Sequence, residues 1–294
     1  MVRYMKNVET SQESNPYMQD FPHLAFLPVE NLLFHERHDD QRTRPLILKI
    51  RASRLWRNPP IVTPLQDGAE SYMILDGANR ISALQQMGFP HALVQIVDPT
   101  HPGLGLQNWN HVVWEMNPIR FLVGASKIDN LHARPLHGLY LQPDLEGDCG
   151  LALVQSCRKR YYSLCSENHD LEKRVALLNA IVDSYKDHAR MDRTGLRDVS
   201  TLHEVYPSLC GLVIFPHFKI HDLMKLAGKG YLLPAGITRF TISPRVLHLN
   251  YPLDELAANK SLEDKNTILQ RWIRNRIAHK GVRFYAESTY LFDE

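Results

Sequence analysis

The sequence predicts an α/β (α+β) fold, with a small N-terminal α/β module followed by a second α/β domain. Three observations carry this expectation. An apolar strand, Tyr72 to Leu75, turns directly into a helix whose Ile81, Ala83, Leu84 and Met87 share one face. A further buried strand, Ala92 to Val97, follows that helix. The later half then alternates strand-like runs at Gly150 to Gln155 and Leu212 to Phe215 with amphipathic helical stripes at Leu171 to Tyr185 and Ser261 to Ile277.

Taken in order, residues 1–21 form a polar N-terminal arm, after which Phe26 to Val29 reads as a short strand and Asn31 to Leu33 as a turn of helix. His35-Glu36 opens a polar run ending at Arg44. Pro45 suits the first position of a helix carrying Leu46, Ile47 and Ile50, and Asn58-Pro59-Pro60 breaks it. The strands Ile61 to Leu65 and Tyr72 to Leu75 are joined across Asp67-Gly68 as in a hairpin. The next helix begins near Asn79 and is ended by Gly88, which tolerates the left-handed conformation. Turn-rich Asp98 to Gly103 and the pair Asn117-Pro118 place the end of the first module at about residue 115, leaving 116–294 as the second domain. There, Ile220 to Ala227 reads as a helix ended by Gly228.

Composition narrows the class without choosing a reaction. The chain has 294 residues, 34 basic against 32 acidic, for a formal charge of +2. So small an excess argues against a general nucleic-acid binder. No apolar run approaches the roughly 20 residues of a membrane span, and Met1 to Asn15 lacks the apolar core of a signal peptide, so a cytoplasmic location is expected. Cys149, Cys157, Cys165 and Cys210 show no paired metal-site spacing and read as reduced thiols.

The run Ile74-Leu75-Asp76-Gly77-Ala78-Asn79-Arg80 is the part that carries chemistry. At a helix start the unpaired N–H groups and the positive end of the dipole point the same way, Gly77 lets a ligand approach the backbone, and Arg80 adds a forked cation. Phosphate oxygens suit that geometry. Asp76 does not, unless a divalent metal or a transferable proton lies between carboxylate and phosphate. A capping aspartate followed by a solvated arginine fits the same residues, and the run alone leaves both readings open.

His35-Glu36, Pro60-Ile61-Val62 and Ile74 to Arg80, taken in order, resemble the ParB/sulfiredoxin superfamily, and within it the free-serine kinases, including the siderophore-pathway kinase. Those enzymes carry an early His-Glu, an Ile-Leu-Asp-Gly-His-His-Arg motif and a later Trp-x-His, here Trp109 to His111. They also carry a C-terminal stretch like Leu233-Pro234-Ala235-Gly236-Ile237-Thr238-Arg239. The resemblance covers residues 22–115 well and 210–294 in part, while 116–209 is matched only by position.

It implies a ParB/sulfiredoxin-like nucleotide-binding module, with the active site in the cleft between the two domains. The implied reaction moves the terminal phosphoryl group of ATP or ADP, with Mg²⁺, to the hydroxyl of free L-serine. By the same resemblance Glu36 is the general base and His35 orients it or the phosphate. Asp76 holds Mg²⁺ or assists proton movement, and Gly77, Ala78, Asn79 and Arg80 cradle phosphates. Trp109 and His111 close the pocket, and Thr238 and Arg239 grip the serine carboxylate. The family's paired histidines are Ala78 and Asn79 here, and the residue after Thr238-Arg239, often histidine, is Phe240. Two other classes remain open: a ParB-like nucleotide-dependent DNA-binding regulator and a non-catalytic nucleotide sensor.

Overall fold

A computed structural model describes residues 21–37, 40–66, 68–136 and 150–285. The arm at 1–20, Asp67 of the expected turn and Cys149 lie outside the described residues.

The N-terminal module runs β1 (His23–Pro28), β2 (Leu32–Leu33), α1 (Asp40–Ser53), β3 (Leu55–Trp56), β4 (Ile61–Pro64), β5 (Tyr72–Asp76), α2 (Ala78–Gln86) and β6 (His91–Ile96). Five of these strands form one mixed sheet in the order β1-β6-β4-β5-β2. The antiparallel pairing of β4 with β5 is the expected hairpin, whereas β4 with β6 and β2 with β5 run parallel. Phe26, Val62, Ile74, Ile81, Leu84 and Val94 are buried in one apolar cluster. Each such side chain contributes about 1.5–3 kcal/mol on burial, which fixes α2 against the sheet.

The chain continues as β7 (Leu104–Asn108), β8 (Asn110–Trp114), α3 (Pro118–Ser126), β9 (His132–Leu136), β10 (Gly150–Ser156), β11 (Tyr161–Cys165), α4 (Leu171–Lys186), β12 (Arg190–Thr194), β13 (Leu209–Ile214) and α5 (Ile220–Gly228). It ends in β14 (Thr238–Ile242), β15 (Tyr251–Pro252), α6 (Leu253–Ala257) and α7 (Leu262–Ala278). A six-stranded sheet in the order β12-β8-β13-β10-β11-β9 forms the second layer. β10 and β13 are buried along their whole length. Helix α4 starts at Asp170, whose carboxylate accepts from Glu172 N at 2.9 Å. Helix α7 starts at Ser261, whose hydroxyl accepts from Asp264 N at 3.1 Å.

Several elements differ from the sequence expectation. A boundary at 115 and 116 would cut just after β8, which pairs with both β12 and β13 in the second sheet. The chain also returns to the first module. β15 pairs with β3, and the Asn266 amide on α7 accepts from Phe26 N at 2.7 Å and donates to Phe26 O at 3.2 Å on β1. Helix α1 begins five residues before Pro45, which therefore lies inside it. The left-handed glycine after α5 is Gly230 (φ +76°), since Gly228 is still helical.

Candidate active site

Strand β5 delivers Asp76 to the start of α2, and Gly77 makes the turn between them. Its φ of +95° is a left-handed conformation that disfavours any side chain, and it is the N-cap of α2. Among the described residues no side chain caps that helix, so Asp76 is not its cap and the first amides, at Ala78 and Asn79, are open to an anion. The Arg80 guanidinium folds back over Gly77, where a β-carbon would stand 2.7 Å from Nη2 and 2.9 Å from Nε. Nη2 donates to Asp76 Oδ2 at 2.9 Å, while Nε is buried without a partner among the described residues. Burial is the main influence on this guanidinium and lowers its basicity, with Asp76 opposing.

His35 ties the His35-Glu36 segment to β5, two residues before this turn. His35 is buried and its Nδ1 donates to Ile74 O at 2.6 Å on β5, with the ring tautomer assigned from the carbonyl partner. Burial pulls the ring below its ordinary basicity, against the opposing effects of Glu36 and the Ile74 carbonyl, so His35 is a neutral acceptor at Nε2 near pH 7. Thr238 Oγ1 lies 2.8 Å from that nitrogen and 2.5 Å from Glu36 Oε1, one hydroxyl proton between two acceptors.

Glu36 is clamped by a loop 200 residues away. Gly236 N donates to Oε2 at 2.7 Å. Ile237 N and Thr238 N donate to Oε1 at 3.1 and 2.6 Å. Both carboxylate oxygens therefore act as hydrogen-bond acceptors from this loop. Among the described residues Oε2 has a single donor, Gly236 N, so it is the oxygen with acceptor capacity to spare. The segments also join by backbone, because Leu233 N donates to His35 O at 2.9 Å and Arg37 N to Leu233 O at 2.8 Å.

The clamp rests on His111. This ring is fully buried on β8, donates from Nε2 to Gly236 O at 3.2 Å and accepts at Nδ1 from Tyr185 Oη at 2.7 Å. Burial, helped by Arg193, lowers its pKa to about 4 despite the Gly236 carbonyl. Gly236 (φ +75°) leaves room for the Arg193 guanidinium, whose Nε would lie 2.0 Å from a β-carbon there.

Two expected pairings are divided by these positions. Thr238 and Arg239 are adjacent in β14 and so face opposite sides of the ribbon. Thr238 is buried against Glu36 and His35, whereas exposed Arg239 stacks on the Trp109 indole at 4.4 Å. They do not form one carboxylate clamp. Similarly, His111 supports the Gly236 loop from beneath and Trp109 carries Arg239, so the two do not line one pocket wall.

A resident Mg²⁺ at Asp76 does not fit these residues. Asp76 Oδ2 already accepts from two arginines, Arg80 and Arg245. Among the described residues no group of three or more His, Cys, Asp or Glu side chains is arranged to hold a metal ion. Sequence reasoning missed Arg245, Arg193, Tyr185 and Gln95. None has a local motif, and Arg245 reaches Asp76 across a separation of 169 residues.

No protein-family model matches the chain. The ATP-dependent L-serine kinase SbnI of Staphylococcus aureus is 25% identical over 278 residues, spanning 92% of this chain and 98% of that protein. An ATP-dependent L-serine kinase of Desulfurococcus mucosus is 29% identical over 113 residues, 38% of this chain and 43% of that protein. Among solved structures, C-terminally truncated SbnI from Staphylococcus aureus superposes with a TM-score of 0.67 at 22% identity, covering 88% of this chain and 98% of that one. The chain has the fold of the free serine kinases. A glutamate-to-glutamine variant of a free serine kinase in complex with AMP agrees, with a TM-score of 0.66 at 15% identity over 81% of this chain and 97% of that one. The expected resemblance to the free serine kinases is thereby borne out over most of the chain.

Proposed function

We propose that this protein transfers the terminal phosphoryl group of a nucleotide to the hydroxyl of free L-serine, giving O-phospho-L-serine. The observation that carries the reading is the meeting of two elements. A donor-clamped carboxylate, Glu36, is tied through His35 to the strand that ends in an uncapped helix start with its own arginine. Phosphoryl transfer asks for alignment, charge neutralisation and a group that takes the acceptor proton. The α2 amides and Arg80 neutralise phosphate charge, and Glu36 Oε2 receives the serine hydroxyl proton. ATP is the donor named for the curated relatives, and a free serine kinase has been solved with ADP as well as AMP.

By resemblance to the kinases, exposed Arg239, stacked on Trp109, is proposed for the serine carboxylate, which it would have to reach from the face of β14 opposite Thr238, while Thr238 serves Glu36. The test is phosphoserine detection after incubating the protein with ATP or ADP, with and without added Mg²⁺, against a panel of amino acids and amino alcohols. Phosphoserine from serine alone is the expected result. Labelled phosphate in no acceptor, together with normal nucleotide binding, would favour a nucleotide sensor.

A further inference from the structure

Two guanidinium groups converge on a single carboxylate oxygen. Arg80 Nη2 lies 2.9 Å from Asp76 Oδ2, and Arg245 Nη2 donates to the same oxygen. One negative charge thus serves two positive ones, leaving a surplus of one positive charge. That surplus lies beside the uncapped start of α2, whose dipole adds a further partial positive charge of about half an electron. The Nε of Arg80 is buried with no acceptor among the described residues. Charge and donors are both out of balance in the direction that an anion of more than one negative charge would correct.

Arg245 is also aimed. Its backbone is gripped on both sides by one buried side chain, Gln95 on β6, which is 2% exposed. Gln95 Nε2 donates to Pro244 O at 2.9 Å and Gln95 Oε1 accepts from Val246 N at 3.0 Å. Further along, Asn58 Oδ1 accepts from His248 N at 2.8 Å and Arg57 O accepts from Leu249 N at 2.7 Å. A surface ion pair formed by chance would need no such support. A buried amide spent on both neighbours of one arginine is explained by the need to hold that arginine over α2.

We infer that Arg245 is a second phosphate-binding cation of the α2 cradle, parked on Asp76 until a nucleoside polyphosphate takes it, and that Gln95 is the positioning residue that presents it. The inference rests on the reading of this turn as the nucleotide site and adds a residue from the far end of the chain. Asp76 then acts as a placeholder, holding two like charges together and giving them up to phosphate oxygens.

Calorimetry on the full chain tests this with adenosine, AMP, ADP, ATP and inorganic triphosphate as titrants. Arg245→Gln should weaken ATP and triphosphate binding by about tenfold to hundredfold, the span for losing a hydrogen bond to a charged group, and leave adenosine binding within twofold. Arg245→Lys should recover part of the loss. Gln95→Leu, which keeps the cation and removes its support, should lose affinity in the same ligand order but by less, with thermal melting run alongside to show that it folds. ATP binding by Arg245→Gln within twofold of wild type, or an equal loss for adenosine, would overturn the assignment. The phosphoserine assay separates the two readings. An affinity loss without phosphoserine formation in the wild type sinks the kinase reading alone, and phosphoserine formation with unchanged affinity in Arg245→Gln sinks this one alone.

Discussion

Replacing Gly77 with alanine should damage both the fold and the phosphate cradle, by amounts the geometry sets. At φ +95° a β-carbon costs about 1–2 kcal/mol in backbone conformation alone. The new methyl would also stand 2.9 Å from Pro60 Cβ and 2.7 Å from Arg80 Nη2. Pro60 is buried immediately before β4 and has little room to retreat, so overpacking adds about 1–3 kcal/mol. The guanidinium is the far end of a flexible side chain and moves instead, which takes it off Asp76 and away from the amides of α2. The expected result is a loss of about 2–5 kcal/mol in urea unfolding at unchanged m-value, with nucleotide affinity down by more than about tenfold. A Gly77→Ala protein within about 0.5 kcal/mol of wild type, binding nucleotide normally, would show that neither the left-handed turn nor the folded-back Arg80 matters as argued.

His111 should make the protein acid-labile. Its folded pKa is lowered to about 4 from an ordinary 6.5, so the unfolded ring takes up a proton first as pH falls. The stabilisation is complete above about pH 6.5 and is lost as pH drops toward 4, reaching about 3 kcal/mol at about 1.4 kcal/mol per pH unit. His35, lowered in the same direction by burial, adds to it. Unfolding by urea at pH 7.5 and pH 5 should show the loss, and His111→Gln should show a flatter dependence; identical slopes would remove His111 from the account. Arg239→Ala should raise the apparent KM for serine at least about fivefold with nucleotide affinity unchanged, because the exposed Arg239 to Trp109 contact is worth only about 0.5–1 kcal/mol to the fold. Equal effects on both substrates, measured by steady-state kinetics, would make that stack structural.

The sequence showed what is local. The strand ending at Asp76, the turn at Gly77, the helix after it and the left-handed Gly88 all follow from periodicity and glycine conformation, and all are present. The helices over Leu171 to Tyr185 and Ser261 to Ile277 follow from periodicity too, while their caps at Asp170 and Ser261 emerge only in the structure. Short strands that gain their stability only from a partner were not legible. β7 and β14 pair across more than a hundred residues, and β12 lies at the sheet edge with polar Arg190, Asp192 and Arg193. The same limit applies to the site. His35-Glu36 and Asp76 to Arg80 announced themselves as motifs, but the acceptors and donors that fix them come from Gly236 to Thr238, His111 and Arg245, which no spacing rule connects. The alternation of β14 could have warned that Thr238 and Arg239 face opposite ways, had the strand been recognised.

The central claim is that Glu36 is the base of a nucleotide-dependent phosphorylation of free serine. The most direct measurement pairs phosphoserine formation with nucleotide affinity in the wild type and in Glu36→Gln. The amide keeps the shape and one acceptor oxygen for the Gly236 to Thr238 donors but cannot take a proton. Phosphoserine formation by the wild type, its loss by at least about a hundredfold in Glu36→Gln, and nucleotide affinity within threefold in both is the expected result. Near-normal turnover by Glu36→Gln, or no phosphoserine from a wild-type protein that binds nucleotide and is supplied with serine, would contradict the account.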